Sequence, residues 1–489
     1  MSPRSPRGPR RADMGAETPL VDRLVAHALQ LRFTDLDTKT VARTGIRLLD
    51  TVGAIAAGHG AEDAGGVLRA AAAWGSGSDA SVLGTGLRLP AASAAFANAV
   101  LARSFDFEPV EADGPSGRHV AAHISGTTVP VALALGQLTG ASGAEVLASL
   151  AVGEDITARL AVAGGFDVYS GQDNTGTVNA LGAALMGARM LGLDAAAAKH
   201  ALGIAANQLG GTVANIYDAA SAFKLPIAFS ARTGIVSAQL AAAGMTGPAD
   251  PLQGRHGFFQ MFGSDPEPEL AGEELGARFH GDSTIKPWSS CRAAQPSLNA
   301  CVELVTAHRV HARDIAHVEI HVTPRTLGGF VGARFDPAER RAAAGLFSIH
   351  FTAAAALLHG TVRPEHLTPA AMGDPRIAAL LERITLVGSL PNSQRLTAEV
   401  TATLRDGSVC QVRIERPRGD QARSPLSQQQ LEEKFTANVA FGLPQLGGRA
   451  GLLIDRIAAL SEADSLKPLM DALDPTHPIS TLIPEENFR

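Results

Sequence analysis

Ala316-His317-Val318-Glu319-Ile320-His321-Val322 alternates apolar and polar side chains without a break. Successive side chains of a strand point to opposite faces, so this run reads as a strand with one wetted face. It decides the fold class because the chain before it keeps a different period. A second alternating run covers 396–404, and Val409–Ile414 follows after Arg405-Asp406-Gly407. Asp-Gly between two such runs predicts a hairpin. A helical stretch, 347–358, lies between. Residues 281–420 therefore read as an α+β unit with an antiparallel sheet.

Toward the N-terminus apolar residues recur at helical spacing from 20 to about 262. Leu20, Leu24, Val25 and Leu29 mark one helix, and Val41, Leu48, Val52 and Ile55 a second. Further helices are expected over 91–101, 128–138, 143–160, 177–191, 195–207 and 224–243. They are rich in Ala and Gly, which lets helix axes approach closely. Gly192 and Gly244 stand where helices should stop, and Asp194 is a good N-cap. Residues 19–280 thus read as a large all-helical bundle domain. Past the sheet, Ser427-Gln428-Gln429-Gln430 has the form of a capping box opening another helix. Residues 421–489 then return to the helical domain, and 281–420 becomes an inserted, smaller lid domain. The fold class is mostly α with an α+β insertion. Residues 1–18, rich in Pro, Arg and Gly, read as a disordered tail, with Met14 a second candidate for the initiating residue. Arg10-Arg11 has no apolar segment after it, so it does not read as a secretion signal.

Composition narrows the function. A chain of 489 residues with 45% hydrophobic and 18% charged content is globular and long enough for two domains. A net charge of −6 gives no global basic field, so nucleic acid is not the expected partner. No apolar run is long enough to span a bilayer. Cys291, Cys301 and Cys410 form no CxxC pair, and their odd number fits a reducing cytoplasm. There is no GxGxxG after a strand, Walker loop, GxSxG or HExxH, which disfavours a nucleotide cofactor and the common hydrolase mechanisms. His119 and His123, with Asp106, Glu108 and Asp113 upstream, have the residue types of a metal site. Pro115-Ser116-Gly117 makes their surroundings a loop, so a pocket-lining role is preferred and no metal is expected.

Two segments place cations among small and apolar residues: Ser221-Ala222-Phe223-Lys224, and Lys286-Pro287-Trp288-Ser289-Ser290-Cys291-Arg292. A cation there calls for an anion. Lys224 in particular sits near the positive end of a predicted helix, where Lys is unfavourable unless an anion is close. A substrate carboxylate is one such anion.

These segments, taken in order with others, resemble the MmgE/PrpD family. The others are Ser104-Phe105-Asp106-Phe107-Glu108, His123-Ile124-Ser125-Gly126, Asn174-Thr175-Gly176-Thr177, Ala231-Arg232-Thr233-Gly234 and Gly244-Met245-Thr246-Gly247-Pro248. Pro425-Leu426-Ser427 running to Glu432-Glu433-Lys434-Phe435 completes the set, and the likeness covers the chain from about Pro19 onward. The resemblance implies a helical domain and a lid with the site between them, a homodimer and no cofactor. It implies a lyase, dehydratase or decarboxylase, acting on a small di- or tricarboxylate. An epimerase of a dicarboxylate and a non-catalytic paralogue are the alternatives. Such reactions make or consume a carbanion beside a carboxylate, so the site must neutralise charge and move a proton.

The resemblance assigns Asp106 as an acid, His123 as general acid–base and Lys224 as a proton-transfer or binding cation. Lys286, Cys291, Arg292 and Ser221 would line the substrate. Two departures stand out. Asp173, which could still carry a proton, occupies a position where the family often has His, and Gln295, which can hydrogen-bond a substrate but not titrate, another. His350 stands where Gln is common and offers a replacement imidazole. Each residue has a plain structural alternative: a cap for Asp106, a turn for Asp173, a buried small residue for Cys291, a core histidine for His350.

Overall fold

A computed structural model describes residues 18–474. The expected tail, Thr18 apart, and Met14 lie outside them. The expected helices form with shifts of a few residues: Ala91–Arg103, Ser125–Thr139, Gly143–Gly164, Val178–Met190, Ala195–Ala206 and Leu225–Ala242 among them. Their close packing depends on missing side chains. A Cβ on Gly187 would stand 2.8 Å from the Cβ of Ala238, and one on Gly234 would strike Ala183. Val178–Met190 and Leu225–Ala242 can therefore touch backbone to backbone only with glycine there. Asp194 accepts from Ala197 N, and Gly192 and Gly244 take positive φ after their helices.

The second half holds a four-stranded sheet in the order Ile384–Gly388, Ile315–Val322, Ala398–Leu404, Val409–Ile414. Val318 faces Ala402 and Ile320 faces Val400, all four buried. The hairpin forms at Asp406-Gly407, with Gly407 at φ +86. One expectation needs correction: the sheet is mixed, because Ile384–Gly388 runs parallel to Ile315–Val322. Ile-Thr-Leu-Val-Gly is short and does not alternate strictly, so its period could not mark it. The helices Gln295–Thr306 and Ile349–His359 contribute Leu298, Cys301, Phe351 and Ala355 to the core under the sheet.

The helical part is not all helix either. Val110–Asp113 pairs antiparallel with both His119–Val120 and Asp282–Thr284. This small sheet stitches the chain at 110–120 to the point where the second half begins. Ser427 and Gln430 exchange the two capping-box bonds at the start of Gln428–Gly442. Phe435, Val439, Leu453 and Leu469 then join Leu48, Val52 and Leu101 in one apolar core. The last described helices thus pack onto the helical part, across the gap the sheet unit interrupts. No helix among the described residues is long and apolar enough to cross a membrane.

Candidate active site

A cleft of about 330 Å³ lies where the helical part meets the sheet unit. Arg103, His119, His123, Tyr169 and Asp173 line it from the first half, and Cys291, Arg292, Arg325, Phe347 and Arg395 from the second.

Its floor is a buried charge cluster. The Ala91–Arg103 helix ends on Arg103, whose Nη1 contacts the Asp106 carboxylate and lies 2.9 Å from Glu108 Oε1. Lys286 Nζ donates to Asp106 Oδ1 at 2.6 Å and to the Asp106 carbonyl. His123 Nδ1 is 2.8 Å from Glu108 Oε1. A carboxylate there selects the Nδ1–H tautomer, which leaves the Nε2 lone pair free. Burial, and then the Arg103 charge, hold the His123 pKa below its ordinary value, against the pull of Glu108. His123 is therefore a neutral imidazole near pH 7, oriented by Glu108 and able to take a proton at Nε2.

Asp106, Glu108 and His123 bring ligand atoms within 4.8 Å of one another, as a metal site would. The residues do not fit one. Arg103 Nη1 already contacts all three side chains, and Lys286 supplies a second positive charge. A divalent ion would have to displace a buried guanidinium.

The wall is built on Glu111, fully buried and held at φ +74. Its Oε2 accepts from Arg292 Nε at 3.0 Å and Nη2 at 2.7 Å, and its Oε1 from Arg395 Nη2 at 2.7 Å. The two guanidinium groups hold its carboxyl down to about 2, overriding burial. One carboxylate between two guanidinium groups leaves net positive charge in the cleft. Arg292 Nη1 is buried without a hydrogen-bond partner. An N–H donor in that state lacks an acceptor, which a bound carboxylate would supply. Asp106 is also left-handed, at φ +46. Such conformations cost about 1–3 kcal/mol outside glycine, and both anchor arginines that line the cleft.

Of the residues singled out in sequence, His119, His123, Asp173, Cys291 and Arg292 line this cleft. Asp106 and Lys286 lie in its floor cluster. Asp173 Oδ1 accepts from Thr175 N and Thr175 Oγ1, capping the Asn174–Gly176 turn. Burial, and then Asp106, push the Cys291 thiol up to about 12, so it is a neutral lining group. Gln295 is buried and donates to Trp288 O and Ser290 Oγ. His350 lies outside the cleft lining, with Nδ1 lacking a partner. Lys224 and Ser221 line a neighbouring cavity, where Lys224 Nζ is 2.6 Å from Asp63 Oδ1. Asp63 is the anion that the helix-end cation called for. Phe223 packs against Arg103 and Phe347, both cleft residues, and so stands between the two cavities. Sequence reasoning passed over Arg103, Glu111, Arg325 and Arg395. Glu111 gave no clear signal, being one of three acids in Glu108-Pro109-Val110-Glu111-Ala112-Asp113.

His123 is placed by the helix that follows it. Asp282 Oδ2 accepts from Ile124 N at 3.0 Å, Ser125 N at 2.7 Å and Ser125 Oγ at 2.8 Å, capping Ser125–Thr139. Ser125 Oγ is also 2.9 Å from Glu154 Oε1. A hydroxyl has one proton and cannot donate to two carboxylates. The Asp282–Glu154 pair must then hold a proton between them. Burial, opposed by the Ser125 N–H and reinforced by Glu154, pushes Asp282 up to about 7. The sign follows: the folded protein binds a proton that the unfolded chain gives up near pH 4. That stabilising term is full below the unfolded pKa and is lost as pH rises through about 7. Asp282→Asn keeps an acceptor for all three bonds and has nothing to ionise. Its melting temperature should therefore gain on the wild type as pH rises from about 5 to about 8. A constant difference across that range would refute the shared proton.

Comparison with known proteins gives two kinds of match. Residues 22–271 match the MmgE/PrpD N-terminal domain, and residues 288–457 match the MmgE/PrpD C-terminal domain. The cis-aconitate decarboxylase of Mus musculus is 27% identical over 427 residues, which cover 84% of this chain and 84% of that protein. That of Homo sapiens is 27% identical over 373 residues, covering 72% and 74%.

Proposed function

This chain belongs to the MmgE/PrpD family, and from that premise we propose that it is a cofactor-independent lyase, a dehydratase or decarboxylase, of a small di- or tricarboxylate of the 2-methylcitrate or cis-aconitate type. Two relatives that carry the name cis-aconitate decarboxylase support the decarboxylase branch. The observation that carries the reading is Arg292 Nη1, a buried donor without an acceptor in the cleft that His123 lines.

Arg292 and Arg395 hold a substrate carboxylate; Arg325, at the same cleft, is already paired with Asp167 and lies over the Tyr169 ring. Neutralising that charge lowers the cost of electron density on the adjoining carbon. In decarboxylation the C–C bond breaks, CO₂ departs, the electron pair stays on carbon, and a proton taken from solvent is passed to that carbon through His123 Nε2. In dehydration His123 Nε2 takes the proton α to the carboxylate, the C–O bond breaks, and hydroxide leaves as water with a proton from a second group. An epimerase reading has one observation in its favour: His119 also lines the cleft, with Nδ1 unpartnered, and offers a second proton-transfer group. We further propose a cytoplasmic homodimer. The three free thiols support the compartment. The exposed aromatic pair Trp74 and Phe229, both packed on Phe96, supports a second copy of the chain.

Incubation with cis-aconitate and with 2-methylcitrate in deuterated water tests the reading. Loss of CO₂ or water with deuterium at the reacting carbon is expected. Exchange with inversion and no net loss would select the epimerase, and no exchange with any polycarboxylate would leave a binding protein. Arg395→Gln should lower kcat/KM about tenfold, the size of one lost charge-assisted hydrogen bond.

A further inference from the structure

A second cavity, of about 240 Å³, adjoins the Val110–Asp113 and His119–Val120 hairpin, with His119 lining both it and the cleft. Lys39, Arg43 and Arg47 line it from the helix Thr38–Gly58. They recur every four residues, so they share one face at the helix N-terminal end. Like charges at that spacing repel, and cations at that end oppose the helix dipole. Arg47 is relieved by Glu154, 2.6 Å away. Lys39 and Arg43 make no ion pair among the described residues. Their acidic neighbour Asp37 is the helix N-cap, accepting from Thr40 N at 2.6 Å, and its carboxylate feels both cations without reaching ion-pair distance.

Other elements add to this charge. Arg423 comes from the loop after the sheet and makes no side-chain ion pair among the described residues. Arg278 lines the cavity too, paired with Glu274 at 3.0 Å. Asp420, the acid beside Arg423, is taken by Arg416 at 3.1 Å. His280 lines the cavity, is 5% exposed, and has Nε2 without a partner. Its other ring nitrogen faces Asp113 at 3.8 Å. Asp37, Asp113, Asp282 and Asp420 line the cavity as well, but three cations from two elements without an ion pair among the described residues, and a buried imidazole short of a partner, share it. Donors arriving from several elements around a point suit a tetrahedral oxyanion better than a planar carboxylate, which one guanidinium fork holds best.

We propose that this cavity is a binding site for a small multivalent phosphoryl anion, separate from the cleft and held by Lys39, Arg43 and Arg423. The inference does not depend on which reaction the cleft performs. Inorganic pyrophosphate is the probe, added to the full chain at constant ionic strength of about 0.15 M so that screening is fixed. Calorimetry and thermal denaturation should show saturable binding and a raised melting temperature. Arg43→Gln and Arg423→Gln should each weaken it at least about tenfold, the loss of one charge-assisted contact. Arg43 is half-buried and Arg423 exposed, on different elements, so both variants are expected to fold. Arg395→Gln, which changes the catalytic cleft, should leave pyrophosphate binding intact. Absence of saturable binding would overturn the proposal. So would binding that survives both cavity variants and falls with Arg395→Gln, which would put the anion in the cleft. Equal loss in all three variants would mean general charge attraction, and would overturn it too.

Discussion

His123→Gln is expected to lower kcat about a thousandfold, within the range that one positioned acid–base group contributes, and to leave KM within about threefold. Glutamine can still face Glu108 with an N–H, so the floor cluster keeps its contact and the fold should be unchanged by circular dichroism. What it cannot do is carry a proton to or from carbon. The pH profile of the wild type gives an independent check. Burial and the Arg103 charge lower the His123 pKa. In the dehydration branch His123 is the base and must be deprotonated, so kcat/KM should rise with pH along an acidic limb that lies below the ordinary histidine value of about 6.5. In His123→Gln the residual activity should lose that limb. A variant that keeps a tenth or more of wild-type kcat, or the same limb, would remove His123 from the proton-transfer step.

Much of the fold was legible because period is a local property. The run at 316–322, the Asp406-Gly407 turn and the Ser427–Gln430 box each announced their structure within a few residues. The strands Val110–Asp113, His119–Val120 and Asp282–Thr284 did not. They are two to four residues long, and two of them pair with a partner some 170 positions away. No window along the chain holds both sides of that ladder. The site was legible in the same uneven way. Arg292 and His123 could be chosen by type and resemblance. Lys224 was chosen by a sound rule, that a cation at a helix start wants an anion, but the rule does not say which one. Asp63, 161 positions away, meets that need. Arg103 and Glu111 show the converse. Neither stands out in a sequence, yet each is the centre around which a group of ion pairs closes.

Lys286→Met should be the most damaging single change to stability. Lys286 is fully buried, with its ammonium against the Asp106 carboxylate and carbonyl. The floor cluster is balanced: Arg103 and Lys286 against Asp106 and Glu108, with His123 neutral. Methionine fills much of the lysine volume but leaves one buried negative charge uncompensated, a loss of about 3–5 kcal/mol. Lys286 also ties the left-handed Asp106 to the segment that follows Asp282–Thr284, so kcat should fall as well through a loosened Arg103 and Glu108. Charge balance can be separated from packing. Asp106→Asn removes the negative charge and tolerates φ +46 better than most residues. The double variant Lys286→Met/Asp106→Asn is neutral again, so it should melt above the single Lys286→Met variant despite carrying more changes. Its activity should stay low, because Asn cannot hold Arg103 as a carboxylate does. The order of melting temperatures in one buffer decides the matter. A double variant no more stable than Lys286→Met would mean that the lysine stabilises the fold by shape and hydrogen bonding, and that the charge count in the floor of the cleft is not what holds it together.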